Sequence, residues 1–257
     1  MQPYEVIVVD NGTKPEEKYV SDGEDVRVFE CENKGFGYAC NIGADKASGE
    51  YILMLNSDTI VHENALDLCL DHLKNYPDTG AVGAKLVLPD GSMDHGCRRG
   101  FPTPLASFYY MAGFDRRHPE NKKYGAYRLT YLSDNETSEV DVVSGAFIMM
   151  QKKVFDEVGG FDEDYFMYGE DIDLCYRIKE TGKKVVFLPS ATTLHIKGQS
   201  GLHTKNRKIL YHFYRSMSVF YKKNLSKKYS IFTGFFIYAA IYFKFALSWM
   251  LSFFKRG

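Results

Sequence analysis

Three short runs of apolar and β-branched residues recur near the start of the chain: Glu5 to Val9 (EVIVV), Val26 to Phe29 (VRVF) and Tyr51 to Leu55 (YILML). Each is followed by turn residues and then by a stretch with helical character, which is the alternation of a parallel sheet with helices packed on its faces. This pattern narrows the possible folds more than any other feature. In such sheets ligands collect at the carboxyl ends of the strands. Those ends carry polar residues here, Asp10-Asn11-Gly12 after the first run and Asn56-Ser57-Asp58 after the third.

Further along, Leu66, Cys69, Leu70 and Leu73 repeat at helical spacing between Glu63 and Tyr76, and Pro77-Asp78 stops the helix. Ala81 to Leu88 reads as a strand, followed by the turn Pro89-Asp90-Gly91. From Cys97 to Glu139 the periodicity weakens into a polar and aromatic stretch with Arg98, Arg99, Arg116 and Arg117, of the kind that forms binding loops or lids. Val140 to Met150 reads as one buried strand with a bulge or close approach at Gly145. Lys152 to Val158 is a short helix, Gly169-Glu170-Asp171 opens an acidic one, and Lys184 to Leu188 and Thr192 to Ile196 close the sheet as two strands.

Composition bounds the rest. The 257 residues are 45% hydrophobic and 25% charged, enough for one large α/β domain, and no low-complexity linker divides it. Residues 1–202 are expected to form the main α/β domain and 203–257 a basic helix followed by an apolar one. Residues 181–257 hold 14 Lys and Arg and no acid, which leaves 18 basic against 33 acidic residues before them. An acidic body with a basic segment near an anionic surface follows from that asymmetry. Tyr229 to Phe254 is almost wholly apolar and aromatic, flanked by Lys222, Lys223, Lys227 and Lys228 on one side and Lys255 and Arg256 on the other. It is long enough to cross a bilayer, while Lys244 and the aromatic content also suit a helix lying in the interface. Five cysteines, an odd number without a Cys-x-x-Cys pair, fit buried thiols in a reducing compartment. The first five residues show no signal-peptide pattern.

Four constellations carry chemistry. Asp58, in Asn56-Ser57-Asp58, stands where a carboxylate can bind a hard divalent cation that bridges diphosphate oxygens, although taken alone the triplet reads more simply as a turn or N-cap. Asn33-Lys34-Gly35-Phe36-Gly37-Tyr38-Ala39-Cys40-Asn41-Ile42-Gly43 opens a helix with glycines; it fails as a dinucleotide fingerprint, because Cys40 stands where glycine is needed, and tight helix-to-sheet packing accounts for it equally. At Gly169-Glu170-Asp171-Ile172-Asp173, helix-end electrostatics and an Asp173–Arg177 pair explain two acids, but Asp171 turns toward the core and needs a partner or a task, such as taking a proton from a hydroxyl. His195, in Leu194-His195-Ile196-Lys197-Gly198-Gln199-Ser200-Gly201, is a structural histidine or completes a metal site begun by a carboxylate.

In this order the four sets resemble the inverting, GT-A-fold glycosyltransferases of family 2, especially the rhamnosyltransferase-like branch of bacterial surface polysaccharide synthesis. The matching text is VVDNGT, NKGFGYACNIG, LNSDT, SGAFIMM with GGFDEDYFMYGEDIDLCYR, and LHIKGQSG, over most of residues 5–201. The resemblance implies an α/β GT-A fold with a mostly parallel central sheet. It implies that Asp10 contacts the nucleotide base, that Asn33, Gly37 and Asn41 face the nucleotide sugar, and that Asn56 and Ser57 line the donor site. Asp58 and His195 would hold Mg²⁺ or Mn²⁺, and Asp171 would be the catalytic base, with Glu170 and Asp173 beside it. The donor would be a nucleotide-diphosphate sugar and the acceptor lipid-linked or a polysaccharide, at the cytoplasmic face of the membrane. No nucleic-acid partner is implied, and homo-oligomerisation is left open. Two departures stand out. Members of the family begin with an additional strand and helix before the Asp-Asn-Gly turn, so either the sheet here lacks a strand or the start is truncated; and Asn56 replaces an acid, which lowers the charge at the metal site. The rival readings are a catalytically silent, membrane-bound nucleotide-sugar-binding partner and a nucleotidyltransferase, whose glycine- and basic-rich loop is not seen.

Overall fold

A computed structural model describes residues 3–13, 26–196 and 207–254. Positions 197–201 of the LHIKGQSG text, Lys205, and the flanking Lys255 and Arg256 lie outside the described residues. Strand β1 (Val6–Asn11) pairs in parallel with β2 (Val26–Cys31), from Val6 opposite Val26 to Asn11 opposite Cys31. Helix α1 (Phe36–Lys46) covers β1, where Gly43 leaves room for Val9 and Ile7. Strands β3 (Tyr51–Leu55), β4 (Thr59–Val61) and β5 (Thr79–Val87) follow, with α2 (Ala65–Asn75) between the last two. Ala65, Cys69 and Leu73 of α2 are buried, which places the helical stripe of the sequence against the sheet.

The segment expected to form one strand from Val140 to Met150 is instead three pieces, β7 (Ser138–Val140), β8 (Val142–Val143) and β9 (Phe147–Gln151). The chain turns at Ser144-Gly145-Ala146, so β9 runs back between β3 and β5, antiparallel to both, with Leu55 opposite Phe147 and Val82 opposite Met149. The two strands expected near the end are one, β10 (Lys184–His195), whose pairing with β5 is interrupted by a bulge between Leu188 and Thr192. The resulting six-stranded sheet has the order β3-β9-β5-β10-β4, with β7 on β10. Only β10 and β5 are parallel within it, so the mostly parallel sheet expected from the resemblance is in fact mixed. The cause is the reversal at Gly145, invisible to hydrophobic periodicity because the residues on both sides of it are equally apolar. β1 and β2 form a separate ribbon, and β3 is the edge of the larger sheet among the described residues.

The aromatic excursion after β5 is built of β6 (Arg98–Arg99), α3 (Pro104–Met111), α4 (Phe114–Arg117) and turns. Thr103 caps α3 by accepting from the Ala106 amide (3.3 Å), with Pro104 pre-set at the first helical position. Arg98 is fully buried, where it donates to Asp134 Oδ1 (2.7 Å) and to the carbonyls of Ser133 and Leu132, so it ties the excursion down. Helices α5 (Lys152–Glu157) and α6 (Glu170–Glu180) pack beyond β9. Three cysteines, Cys69, Cys97 and Cys175, are buried, and burial pushes the Cys175 thiol up to about 12, as expected for an inert core residue.

Helix α7 (Arg207–Phe220) lies against the body through His212, which stacks on Phe166, Ser216, whose hydroxyl donates to the Met167 carbonyl (3.1 Å), and Phe220. A π turn and a 3₁₀ turn lead to α8 (Ile231–Phe254), which is long and apolar enough to cross a membrane and whose apolar window is not buried by the rest of the chain.

Packing of β5 against β8 leaves no space for a methyl group at Gly83: a Cβ there would lie 2.4 Å from the Val143 Cβ. Gly83→Ala is therefore expected to lower stability by about 1–3 kcal/mol, read as an earlier midpoint in chemical denaturation with an unchanged slope.

Candidate active site

Strand β3 delivers Asn56, whose amide donates to the Ala146 carbonyl (3.1 Å) and whose own carbonyl is capped by the Thr59 hydroxyl (2.6 Å). The short β4 then pairs with β10, placing Thr59 opposite His195, and the Ile196 amide donates to the Asp58 carbonyl (2.9 Å). Asp58 and His195 are consequently neighbours and both are buried, with His195 Nε2 3.3 Å from Asp58 Oδ1. Asp58 Oδ1 nonetheless has no hydrogen bond. On the other side of the ring, His195 Nδ1 lies 3.3 Å from Oδ2 of the buried Asp94, whose Oδ1 accepts from the Gly96 amide (2.9 Å). The imidazole thus stands between two buried carboxylates, and Asp94 on the Nδ1 side fixes the ring so that Nε2 is turned toward Asp58. A buried carboxylate oxygen without a hydrogen bond and an imidazole nitrogen beside it suit a cation. Among the described residues no cluster of three or more His, Cys, Asp or Glu side chains is arranged to hold a metal. The protein thus offers a partial shell, the form in which Mg²⁺-type ions are held when substrate phosphates complete it. Asp94 carried no signal in the sequence, since it sits in a turn with no strand or helix pattern around it.

Helix α6 begins at Gly169, which has the positive φ of 88° that favours glycine. Asp171, buried in the first turn, receives Arg99 Nη2 at 2.5 Å and the Gly145 amide at 3.2 Å on Oδ2, and the Ile172 amide at 2.8 Å on Oδ1. Arg99 comes from β6, where it is paired with Val142. The expected partner of Asp171 therefore exists, and the guanidinium and the two amides fix the orientation of the carboxylate. Its neighbour Glu170 is buried with Oε2 unbonded, and burial first, then the charge of Asp171, push its pKa up to about 8. Asp173 has a different place. It accepts from Arg177 Nε (2.7 Å), Asn224 Nδ2 (2.8 Å) and the Tyr165 hydroxyl (3.3 Å), and so ties α6 to the segment after α7.

One turn joins the two halves of the site. Ser144 donates its amide to the Cys97 carbonyl (3.0 Å), Gly145 to Asp171, and Ala146 accepts from Asn56, so the Asn56-Ser57-Asp58 edge and the Arg99–Asp171 pair hang from three consecutive residues. The two glycine-bearing texts also meet. Asn11 Nδ2 donates to the Gly35 carbonyl (3.0 Å), and Gly12 abuts Asn33, which is exposed. Asp10, largely buried at the end of β1, accepts from the Thr13 amide (2.8 Å). Gly37 and Asn41 face the loop before α6: a Cβ on Gly37 would lie 2.8 Å from that of Phe161, and the Asn41 amide donates to the Phe161 carbonyl (2.9 Å) and accepts from its N–H (2.8 Å). These contacts are packing in character. Ser57 is exposed in the turn between Asn56 and Asp58.

The fold is that of the GT-A glycosyltransferases: the crystal structure of GalNAc-T7 with UDP, GalNAc and Mn²⁺ aligns over 85% of this chain and 42% of its own at a TM-score of 0.57, with 17% identity. Residues 1–159 match the model of glycosyl transferase family 2, and residues 134–199 that described as the N-terminal domain of galactosyltransferase. The chain belongs to glycosyl transferase family 2 and is a glycosyltransferase. An N-acetylglucosaminyl-diphospho-decaprenol L-rhamnosyltransferase of Mycobacterium tuberculosis is 30% identical over 220 residues, covering 77% of this chain and 68% of the relative. A rhamnosyltransferase of Escherichia coli K12 is 30% identical over 175 residues, covering 63% and 60%.

Two outcomes follow. Because the native pKa of Glu170 lies above its ordinary value of 4.5, the folded state binds this proton more tightly than the unfolded chain. Its contribution to stability is therefore greatest below about 4.5 and declines as pH rises to about 8. Glu170→Gln should flatten that decline, measured as the wild-type-minus-variant difference in urea midpoints at the two pH values. Were Asp58 and His195 to hold Mn²⁺, loss of the ring's support in Asp94→Ala would weaken its binding by about 10- to 100-fold, read by titration of the free ion.

Proposed function

We propose that this chain is a metal-dependent, inverting glycosyltransferase that moves a sugar, rhamnose on the likeness to its relatives, from a nucleotide-diphosphate donor to a lipid-linked or polysaccharide acceptor at the cytoplasmic face of the membrane. The observation that carries this reading is the convergence, on the Ser144-Gly145-Ala146 turn, of a buried Asp58–His195 pair and an Arg99-held Asp171. The unbonded Asp58 Oδ1 beside Nε2 fits a divalent cation, Mg²⁺ or Mn²⁺, held by Asp58 and His195 with Asp94 steadying the ring. When bound, that ion offsets charge on the departing nucleotide diphosphate. Asp171 accepts the proton of the acceptor hydroxyl as it attacks the anomeric carbon from the side opposite the leaving group, and configuration inverts. Arg99 orients the carboxylate for that transfer.

Arg99 and the Gly145 amide occupy Oδ2 of Asp171, so the acceptor hydroxyl must approach on the side they leave open. Glu170, with its raised pKa, stays protonated at neutral pH and adds no second negative charge beside Asp171. The rival reading, a silent nucleotide-sugar-binding partner, is favoured by one observation, the ribbon of β1 and β2 standing apart from the larger sheet.

Asp171→Asn should lower transfer by about 100- to 10,000-fold while leaving nucleotide-diphosphate affinity with Mn²⁺ within a few-fold of wild type. The assay is product formation by the purified full chain over a panel of nucleotide sugars. Undiminished turnover by the variant would remove Asp171 from the role of base, and absence of turnover of any donor by the wild type would favour the silent partner.

A further inference from the structure

A cleft of about 560 Å³, within the range of small-molecule sites, opens between α7 and α8. Its walls are aromatic, with Tyr214 from α7 and Tyr238, Tyr242 and Phe245 from α8, and two cations, Arg215 and Lys222, stand on the α7 side. No acid lines it, and none occurs anywhere in residues 181–257. The two helices meet through the Tyr214 and Ser248 hydroxyls (2.9 Å) and through Phe245, which packs against Tyr211 and Tyr214.

Its position is defined by the faces of α7. His212, Ser216 and Phe220 face the catalytic body, while Tyr214 and Arg215 of α7, with Lys222 of the π turn after it, face the cleft. Arg215 stands at the boundary between the two faces, and its guanidinium donates to the carbonyl of Asp164. Asp164 begins the loop that Ser216 also holds through Met167 and that ends in Gly169, Glu170 and Asp171. The cationic end of the cleft therefore lies toward the chain segment that carries the proposed base. The opposite wall belongs to α8, whose Phe232 and Phe243 are exposed. Lys222 is exposed and forms no ion pair among the described residues, whereas its neighbour Lys223 is engaged by Asp162 (2.5 Å) and Asp164 (2.6 Å).

A ligand that is apolar along its length and anionic at one end matches this arrangement: the apolar part lies along the rings, and the anion meets Arg215 and Lys222. We propose that the cleft seats the first isoprene units and the diphosphate of a polyprenyl-diphosphate-linked acceptor, and presents its sugar toward the loop leading to Asp171. This deepens the reading of a lipid-linked acceptor given above and rests on it. A bilayer phospholipid has the same two ends, but nothing in its biology requires the anion to sit beside the loop of the proposed base, whereas an acceptor must do so to react.

The test uses the full chain in non-ionic detergent micelles, with farnesyl diphosphate as the probe. Trp249, the single tryptophan, packs against Phe245 at 5.5 Å between ring centroids and reports occupancy by fluorescence. Saturable binding of farnesyl diphosphate is expected, weaker by on the order of tenfold or more for farnesol and for inorganic diphosphate, since each keeps only one end of the ligand. The paired variant Lys222→Gln/Tyr242→Ser, at two exposed positions whose change spares the fold, should weaken it by on the order of tenfold. UDP and dTDP binding with Mn²⁺ should be unchanged in that variant. Equal affinity of variant and wild type, equal affinity for phosphatidylglycerol, or no saturable binding would each overturn the cleft. A chain that binds farnesyl diphosphate but neither nucleotide would support the cleft and overturn the nucleotide-sugar reading instead.

Discussion

The geometry of the site depends on a single backbone reversal at Ser144-Gly145-Ala146. With that turn in place, β9 enters the sheet antiparallel between β3 and β5, and three backbone groups become available at the strand ends. One orients Asp171, one holds the start of the Asn56-Ser57-Asp58 edge, and one ties back to β6, which supplies Arg99. Backbone amides are well suited to this work because they are rigid and already desolvated, so they fix a carboxylate without the rotamer entropy a side-chain donor would lose. Gly145 has its α-carbon against Phe36 and Asp171, in contact distance for a Cβ at 3.4 and 3.5 Å. The turn is thus packed between the donor-side helix α1 and the start of α6, and a shift in either would be transmitted to the acid.

Electrostatics separates three acids that lie within four residues. Asp171 is faced by a cation and two amides. Glu170 has burial and a negative neighbour but no hydrogen bond on Oε2, and it holds its proton to about 8. Asp173 is satisfied by Arg177, Asn224 and Tyr165 and belongs to the scaffold that docks the C-terminal helices. The same helix start therefore provides a candidate base, a neutral neighbour and an anchor, and the difference lies in what faces each carboxylate. The anchor also connects the catalytic body to the C-terminal helices, because Asn224 lies in the π turn that follows α7.

Much of this was legible in order along the chain. The three apolar runs became β1, β2 and β3 within two residues of their expected ends, and the Leu66–Leu73 stripe became the buried face of α2. Asp171 was singled out because helical phase turned it inward, and the structure provides the partner that burial demanded. Asp58 and His195, 137 positions apart in the chain, were joined only through a resemblance, and their adjacency is a consequence of β4 pairing with β10. Asp94 and Arg99 were not assigned to the site. Neither has a periodic neighbour to mark it, and Arg99 is indistinguishable in sequence from Arg98, which is buried in a purely structural cage.

The amino-acid sequence by itself determined the α/β class, the strand ends as the place of chemistry, the inward-facing acid of α6, and the apolar, acid-free C-terminal segment. These are local properties: period, turn chemistry and charge are set by residues within a few positions of each other. Tertiary structure alone decided the direction of β9, the mixed character of the sheet, the Asp58–His195–Asp94 chain, the Arg99–Asp171 pair and the cleft between α7 and α8. Each of these depends on strand pairing or helix docking between distant segments. The energy that selects them comes from burying both partners at once, which no local pattern records.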